Sequence, residues 1–162
     1  MAKNKEEKTN VMRTLEQKNI PYSAYTYPHE EGVAVDGVTV AQSLGQDPEQ
    51  VFKTLVARGE RTGINVFCIP VCFELDLKKA AKAAGDKNMV MVPVKELLAL
   101  TGYIRGGCSP VGMKKKYPTF IDETAQLYEE IAVSAGARGH QMLLPPEPLA
   151  QLVDAEFVDL II

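Results

Sequence analysis

The chain has 162 residues, 46% of them apolar and 24% charged, and its net charge at neutral pH is −3. This length predicts one domain rather than two, and the composition excludes a disordered protein. No apolar run approaches the roughly 18 residues of a membrane span, and no hydrophobic segment follows the charged first residues, so we expect no secretory signal. We therefore expect a cytoplasmic protein whose overall charge attracts neither DNA nor a membrane surface.

Helical and strand patterns are interspersed along the chain without a regular alternation. Hydrophobic periodicity and turn residues predict, in chain order, a helix over 4–18, a strand over 22–27, turns at 31–32 and 36–37, a short helix over 39–45, strands over 51–57 and 64–71, a helix over 77–84, a strand over 89–92, a helix over 93–101, strands over 119–121, 131–134 and 141–144, a helix over 149–153 and a strand over 157–161. This order favours an α+β fold with a mixed sheet over a doubly wound fold.

Capping residues support some of these boundaries. Asp76 is placed to cap the helix that follows it, and Gly85 is placed to end that helix. Thr39 is a candidate cap for the short helix before the predicted hairpin. In the next long helix we expect Leu97 and Leu98 to face inward.

The cysteines and histidines limit the chemistry. Cys68, Cys72 and Cys108 are odd in number and have no Cys-x-x-Cys spacing, which argues against a disulfide framework. We expect all three to be reduced, buried thiols. The two histidines, His29 and His140, leave little for a zinc site or a histidine-based triad, and neither is near enough in sequence to activate Cys108.

Lys53 stands out because the strand around it is otherwise apolar. A lysine there can hold a phosphate, a ribose hydroxyl or a carbonyl from inside a pocket. It can equally be an edge-strand lysine whose stem covers apolar surface while the ammonium stays in water. The sequence pattern leaves both interpretations open.

Two glycine-containing loops are further candidates. The segment 106–112 has glycines that let backbone amides approach an anionic or carbonyl oxygen, although most such loops are surface connections. It is not a Walker loop, because Met113 stands where that loop needs a lysine. The turn over 136–139 presents Arg138, suited to a phosphate, after a strand that ends at Ser134, whose hydroxyl can bond a substrate. A solvated arginine on an ordinary turn is the alternative.

Several short motifs become informative through their order and spacing. They are Phe52-Lys53-Thr54-Leu55-Val56, Leu77-Lys78-Lys79-Ala80-Ala81-Lys82, Thr101-Gly102-Tyr103, Gly106-Gly107-Cys108-Ser109-Pro110-Val111-Gly112, Phe120-Ile121-Asp122 and Val133-Ser134-Ala135-Gly136-Ala137-Arg138-Gly139. In this order they resemble the YbaK/EbsC family of Cys-tRNA(Pro) deacylases, within the prolyl-tRNA synthetase editing-domain superfamily. The resemblance implies one compact α+β domain over residues 1–162, with a mixed, barrel-like sheet flanked by helices.

The resemblance also implies roles for individual residues. Lys53 matches the family's essential lysine, and Gly106 and Gly107 match the loop beside the reacting ester, so these three are the expected catalytic positions. The expected substrate-binding positions are Tyr27, Thr54, Ser109, Ser134, Arg138 and Gln141. Gln141 stands where some members carry an acidic residue and Ala135 replaces a common glycine, departures that bear on substrate preference rather than on the reaction. No metal or cofactor is implied.

The implied activity is trans-acting hydrolysis of mischarged tRNA, specifically Cys-tRNA(Pro). The implied partners are the aminoacylated 3′ end of tRNA and prolyl-tRNA synthetase. A cysteinyl ester carries a thiol with a pKa of about 8.5, and holding that thiol against its own ester carbonyl supplies a nucleophile without a protein base. Lys53 would fix the phosphate or ribose of the terminal adenosine, and amides of the glycine loop would stabilise the oxyanion. The alternatives are a deacylase for another charge, such as Ala-tRNA(Pro), and a non-catalytic module that binds a tRNA end or a nucleotide.

Overall fold

A computed structural model describes residues 8–30 and 33–162 of the chain. The helices are α1 (Asn10–Gln17), α2 (Gly37–Ser43), α3 (Leu77–Ala84), α4 (Val94–Thr101) and α5 (Pro146–Val153), with a 3-10 helix over Glu123–Leu127. The strands are β1 (Ser23–Thr26), β2 (Phe52–Gly59), β3 (Gly63–Pro70), β4 (Met89–Met91), β5 (Thr119–Asp122), β6 (Ile131–Ser134), β7 (His140–Leu144) and β8 (Ala155–Val158). None of these helices is long and apolar enough to cross a bilayer.

These strands form two sheets. The smaller sheet has the order β1-β7-β6 and is antiparallel, whereas the larger has the order β4-β2-β3-β5-β8 and contains two parallel pairs, β3–β5 and β5–β8. The predicted α+β class and mixed sheet are confirmed, as is the predicted β2–β3 hairpin. An isolated bridge between Val51 and Ala132 joins the sheets. They do not close into a barrel, because β1, β4 and β8 remain edge strands.

Local capping places α3 where the sequence predicts it. The Asp76 carboxylate accepts hydrogen bonds from the amides of Lys78 and Lys79, at 2.9 and 3.2 Å. Gly85 ends the helix in the left-handed conformation, with φ of 72°. Both caps depend only on a few neighbouring residues, and the sequence therefore predicts them correctly.

Three predicted helix starts are wrong. The helix expected over 149–153 begins at Pro146, because a proline is well suited to the first turn of a helix. The cap of α2 is Asp36 rather than Thr39: its carboxylate accepts from the Thr39 amide at 2.9 Å and from the Thr39 hydroxyl at 2.8 Å, so the predicted turn at 36–37 is the first turn of the helix. The described part of the first helix begins at Asn10, because the Thr9 side chain caps it. Predicted helical residues 4–7 and the predicted turn at 31–32 lie outside the described residues.

Two apolar clusters cover the two faces of the larger sheet. One contains Phe52 and Cys68 together with side chains from α1, α5 and the smaller sheet. The other contains Phe67, Ile69 and Phe120 packed against α3, with the Phe67 and Phe120 rings stacked 5.5 Å apart. Cys68 and Phe67 belong to different clusters because successive strand residues point to opposite faces. The sheet is therefore buried on both sides around β3.

Three sequence expectations fail at the periphery. Leu98 is 54% exposed, because α4 packs Leu97 and Leu100 rather than Leu98 against the body of the protein. Cys72 is exposed, since β3 ends at Pro70 and the thiol lies in the following turn. The last strand is Ala155–Val158 rather than 157–161, because the chain then leaves the ladder and the Leu160 amide donates to the Asp122 carboxylate at 2.8 Å.

Candidate functional site

The site lies where β2 loses a neighbour. Strand β3 pairs with the whole of β2 along one edge. On the other edge β4 pairs only with Ala57–Gly59, and Ala132 of β6 bridges only to Val51. Residues 52–55 therefore have a described strand partner on one side alone. A strand edge left open in this way offers unpaired backbone groups, and Lys53 and Thr54 lie within it.

A pocket of about 110 Å³, the inner pocket, opens at this gap. Its polar and loop residues are Tyr27, Lys53, Thr54, Gly106, Cys108, Ser134 and Gln141. The rest of the lining is mostly apolar and comprises Val35, Gly37, Val40, Val51, Phe52 and Val71. The pocket is smaller than the roughly 150 Å³ cavity that accommodates benzene, so it has room for a small group only. Lys53 is the one charged side chain that residues 8–30 and 33–162 contribute to this lining.

Six of the nine residues predicted from the sequence thus meet in one pocket. Thr54 lies beside Lys53 on β2, with its hydroxyl 3.7 Å from the buried Cys68 sulfur. Lys53 itself is half-buried and has no ion-pair or hydrogen-bond partner among the described residues. Its ammonium is therefore available to a ligand.

The polar side chains opposite Lys53 are held by their neighbours. The Ser134 hydroxyl accepts a hydrogen bond from the Gly136 amide at 3.1 Å, and the Gln141 side chain donates to the Gln46 side chain at 2.9 Å. The Tyr27 hydroxyl makes a long contact, 3.5 Å, with the carbonyl of Gly106. These contacts orient the side chains before any ligand binds.

The glycine loop faces the pocket through a tight turn. The Gly107 amide donates to the Ile104 carbonyl at 2.9 Å, and Gly106 has φ of 89°, the conformation that the third residue of a type II turn requires. The Gly107 amide is therefore used within the turn and does not face a ligand, contrary to the expectation that both glycines serve the reacting group directly. The amides of Gly106 and Cys108 have no acceptor within the described ranges, and both residues line the inner pocket.

Arg138 and Ser109 do not line the inner pocket. The Arg138 guanidinium donates from Nε to the carbonyl of Arg105 at 2.7 Å, so this side chain fastens the turn over 136–139 to the glycine loop. The backbones of the loop and the turn are also close, since a Cβ added to Gly107 would lie 3.0 Å from the backbone nitrogen of Arg138. Ser109 is fully buried, and its hydroxyl accepts from the Val111 amide at 3.2 Å. Both residues contact the loop, and their expected part in substrate binding stays a prediction.

The thiols near the pocket are not nucleophiles at neutral pH. Burial raises the pKa of the Cys108 thiol to about 12, against a smaller lowering by a hydrogen bond with Thr101. Burial likewise raises the pKa of Cys68 to about 12. The thiolate rather than the thiol is reactive. Cys108 is protonated at neutral pH and therefore lines the inner pocket as a small apolar side chain. Neither His29 nor His140 is among the lining residues.

A larger cavity, the outer cavity, continues from the inner pocket. Its volume is about 660 Å³, and it shares Val35, Gly37, Lys53, Thr54, Val71 and Gly106 with the inner pocket. Arg105 also lines it, a residue that the sequence analysis missed although it directly precedes the glycine pair. The valine walls were missed too, because their positions on separate segments give no local signal. No group of three or more described His, Cys, Asp or Glu side chains is arranged to hold a metal ion.

Comparison with known proteins agrees with this geometry. The family model of the aminoacyl-tRNA editing domain matches residues 32–152. EbsC of Enterococcus faecalis, named as a candidate Cys-tRNA(Pro)/Cys-tRNA(Cys) deacylase, is 49% identical over 99% of this chain and 98% of its own length. A proline–tRNA ligase of Shouchella clausii is 31% identical over 62% of this chain and 17% of its own length. The crystal structure of a candidate trans-editing enzyme for prolyl-tRNA synthetase superposes with a TM-score of 0.79 and 26% identity, over 94% of this chain and 93% of that one. The chain belongs to the aminoacyl-tRNA editing domain family.

Proposed function

We propose that this protein is a trans-acting aminoacyl-tRNA deacylase that hydrolyses Cys-tRNA(Pro), with residues 1–162 acting as one editing domain. The observation that carries the proposal is the inner pocket, a space for a small acyl group whose lining includes an unpaired lysine and two residues, Gly106 and Cys108, whose backbone amides have no acceptor among the described residues. A charged tRNA substrate implies a cytoplasmic location. The similarity to EbsC supports the cysteinyl substrate.

The protein's part in the reaction is to hold the ester. Lys53 binds the phosphate or ribose of the terminal adenosine, because it lines both the inner pocket and the outer cavity. The amides of Gly106 and Cys108 face the ester carbonyl and stabilise the negative charge that develops on its oxygen. Arg138 and Ser109 act as positioning residues that keep this loop in place.

The substrate supplies the nucleophile. The cysteinyl sulfur attacks its own ester carbonyl, a C–S bond forms, the C–O bond to the ribose breaks, and the ribose oxygen takes up the thiol proton. Water then opens the resulting thiolactone to free cysteine. A positioned thiol gains the advantage of an intramolecular reaction, and the positive charge of Lys53 favours its thiolate. This route explains how a pocket whose lining holds no histidine and no ionised thiol can still cleave an ester.

Selectivity for the tRNA is proposed to come from prolyl-tRNA synthetase. A synthetase pocket rejects amino acids of similar size poorly, so cysteine in place of proline requires a second check. A net charge of −3 gives this chain little attraction for tRNA by itself. The similarity to part of a proline–tRNA ligase supports an association of such domains with that synthetase.

Purified protein incubated with tRNA(Pro) charged with cysteine, alanine or serine tests the proposed function. We expect release of cysteine at a rate well above the spontaneous rate, with little release of the other two. Release of alanine in preference to cysteine would assign a different substrate, and binding without release of any amino acid would make the protein a non-catalytic module. A reaction without protein and one with the Lys53→Ala variant are the controls.

Replacement of Cys108 by alanine tests whether a protein thiol takes part. Because the Cys108 thiol is protonated at neutral pH, we expect kcat/KM for cysteinyl release to stay within about threefold of wild type, the residual change reflecting a slightly larger pocket. Thermal unfolding of the variant monitors the fold. A loss of about 100-fold or more in a folded Cys108→Ala protein would make Cys108 a nucleophile and contradict the mechanism.

A further inference from the structure

The outer cavity has room for far more than the acyl group. At about 660 Å³ it is several times larger than the inner pocket, and it lies within the roughly 300–1,000 Å³ of ligand sites in general. Lys53 and Gly106 line both spaces. A ligand whose ester is held at Gly106 can therefore extend past Lys53 into the outer cavity.

The charge of this cavity suits an anion. Lys53 and Arg105 line it, and Asp36 is the one carboxylate among the described residues of its lining. The oxygens of Asp36 are engaged by the amide and hydroxyl of Thr39 at the start of α2. The described lining therefore has two cationic side chains and one carboxylate that is already hydrogen-bonded, although the protein is acidic overall.

Arg105 is presented from a fixed position. Its carbonyl accepts the hydrogen bond from Arg138 at 2.7 Å, and it occupies the turn closed by the hydrogen bond from Gly107 to Ile104. The residue is exposed, and no described carboxylate forms an ion pair with its guanidinium. Its backbone is therefore ordered while its side chain remains available.

We propose that Arg105 binds the last phosphodiester of the tRNA, the group that joins the terminal adenosine to the preceding nucleotide. This inference rests on the proposed function, because it takes the ester to lie at Gly106. The planar guanidinium fork matches two phosphate oxygens at once, which a lysine does not. Arg105 is then a substrate-binding residue that recognises the polynucleotide, and of the two groups proposed for Lys53 this assignment leaves it the ribose of the terminal adenosine.

A cycle of protein and substrate changes tests this assignment. A short oligonucleotide ending in CCA is charged with cysteine, once with its natural last linkage and once with a neutral methylphosphonate there. We expect Arg105→Ala to lower kcat/KM about 10-fold on the natural substrate and to have almost no effect on the neutral one. Arg105→Lys should recover part of the loss. With natural linkages, the slope of log kcat/KM against log salt should become shallower by about 0.7.

The control is Arg58→Ala. Arg58 is an exposed arginine that forms an ion pair with Glu96 at 3.0 Å and lines neither the inner pocket nor the outer cavity. It should leave both substrates unaffected. An equal loss on the natural and neutral substrates would make Arg105 a support of the loop and overturn the inference, and so would no loss on either. Failure of the wild-type protein to release cysteine from the natural substrate would instead overturn the proposed function.

Discussion

Replacement of Lys53 by alanine should lower kcat/KM for cysteinyl release by about 100- to 1,000-fold, the cost of losing one charged group that holds the reacting ester. Among the described residues, Lys53 is the one charged side chain that lines the inner pocket, and it has no partner there. Its loss therefore removes a substrate contact without breaking a contact within the protein. The free energy of unfolding should change by less than about 0.5 kcal/mol.

Single-turnover deacylation measures the first effect, and denaturant unfolding measures the second. Lys78→Ala is a matched control, because Lys78 is an exposed lysine on α3 that lines neither the inner pocket nor the outer cavity. It should behave as wild type in both measurements. Near-normal activity of Lys53→Ala would remove Lys53 from the mechanism, whatever the control shows.

Replacement of Gly107 by alanine should abolish most of the activity through the backbone rather than through a lost side chain. An added Cβ would lie 3.0 Å from the Arg138 nitrogen and 3.1–3.2 Å from the Ala137 carbonyl carbon and Cα. These are backbone atoms, so the glycine loop must move. A displacement of about 1 Å at a reacting group costs on the order of 100-fold in rate, and the overpacking costs about 1–3 kcal/mol of stability.

The two effects can be separated by a second glycine. Gly45→Ala introduces a side chain at φ of 67° with no atom within 4 Å of the added Cβ. It should cost about 1–2 kcal/mol of stability through backbone strain and leave the rate unchanged. If Gly107→Ala is as active as Gly45→Ala at equal stability, the position of the glycine loop does not matter for the reaction.

The features that the sequence predicts correctly depend on neighbours in the chain. The β2–β3 hairpin and the ends of α3 follow from turn and capping residues a few positions apart. Lys53 stands out because it interrupts an apolar strand, and the structure places it in the inner pocket. The order of motifs adds Tyr27, Ser134 and Gln141, which come from segments distant in the chain.

What the sequence does not reveal depends on contacts between distant segments. The inner pocket exists because β6 bridges to β2 only at Val51 and leaves the next residues open, a register that no local pattern encodes. The hydrogen bond from Arg138 to the carbonyl of Arg105 joins two distant segments, so no local pattern predicts it. Arg105 cannot be recognised as a cavity residue from the sequence, because only its position before two glycines distinguishes it.

In the proposed mechanism the substrate, and not the protein, provides the nucleophile. The most direct test of this mechanism is the single-turnover rate of release of cysteine compared with S-methylcysteine, each esterified to the same tRNA(Pro), with alanine as a control for size. Methylation removes the nucleophilic thiol without altering the ester, so we predict release of cysteine at least about 100-fold faster than release of either other amino acid. Equal rates for cysteine and alanine would mean that water or a protein group attacks the ester, and would contradict the mechanism.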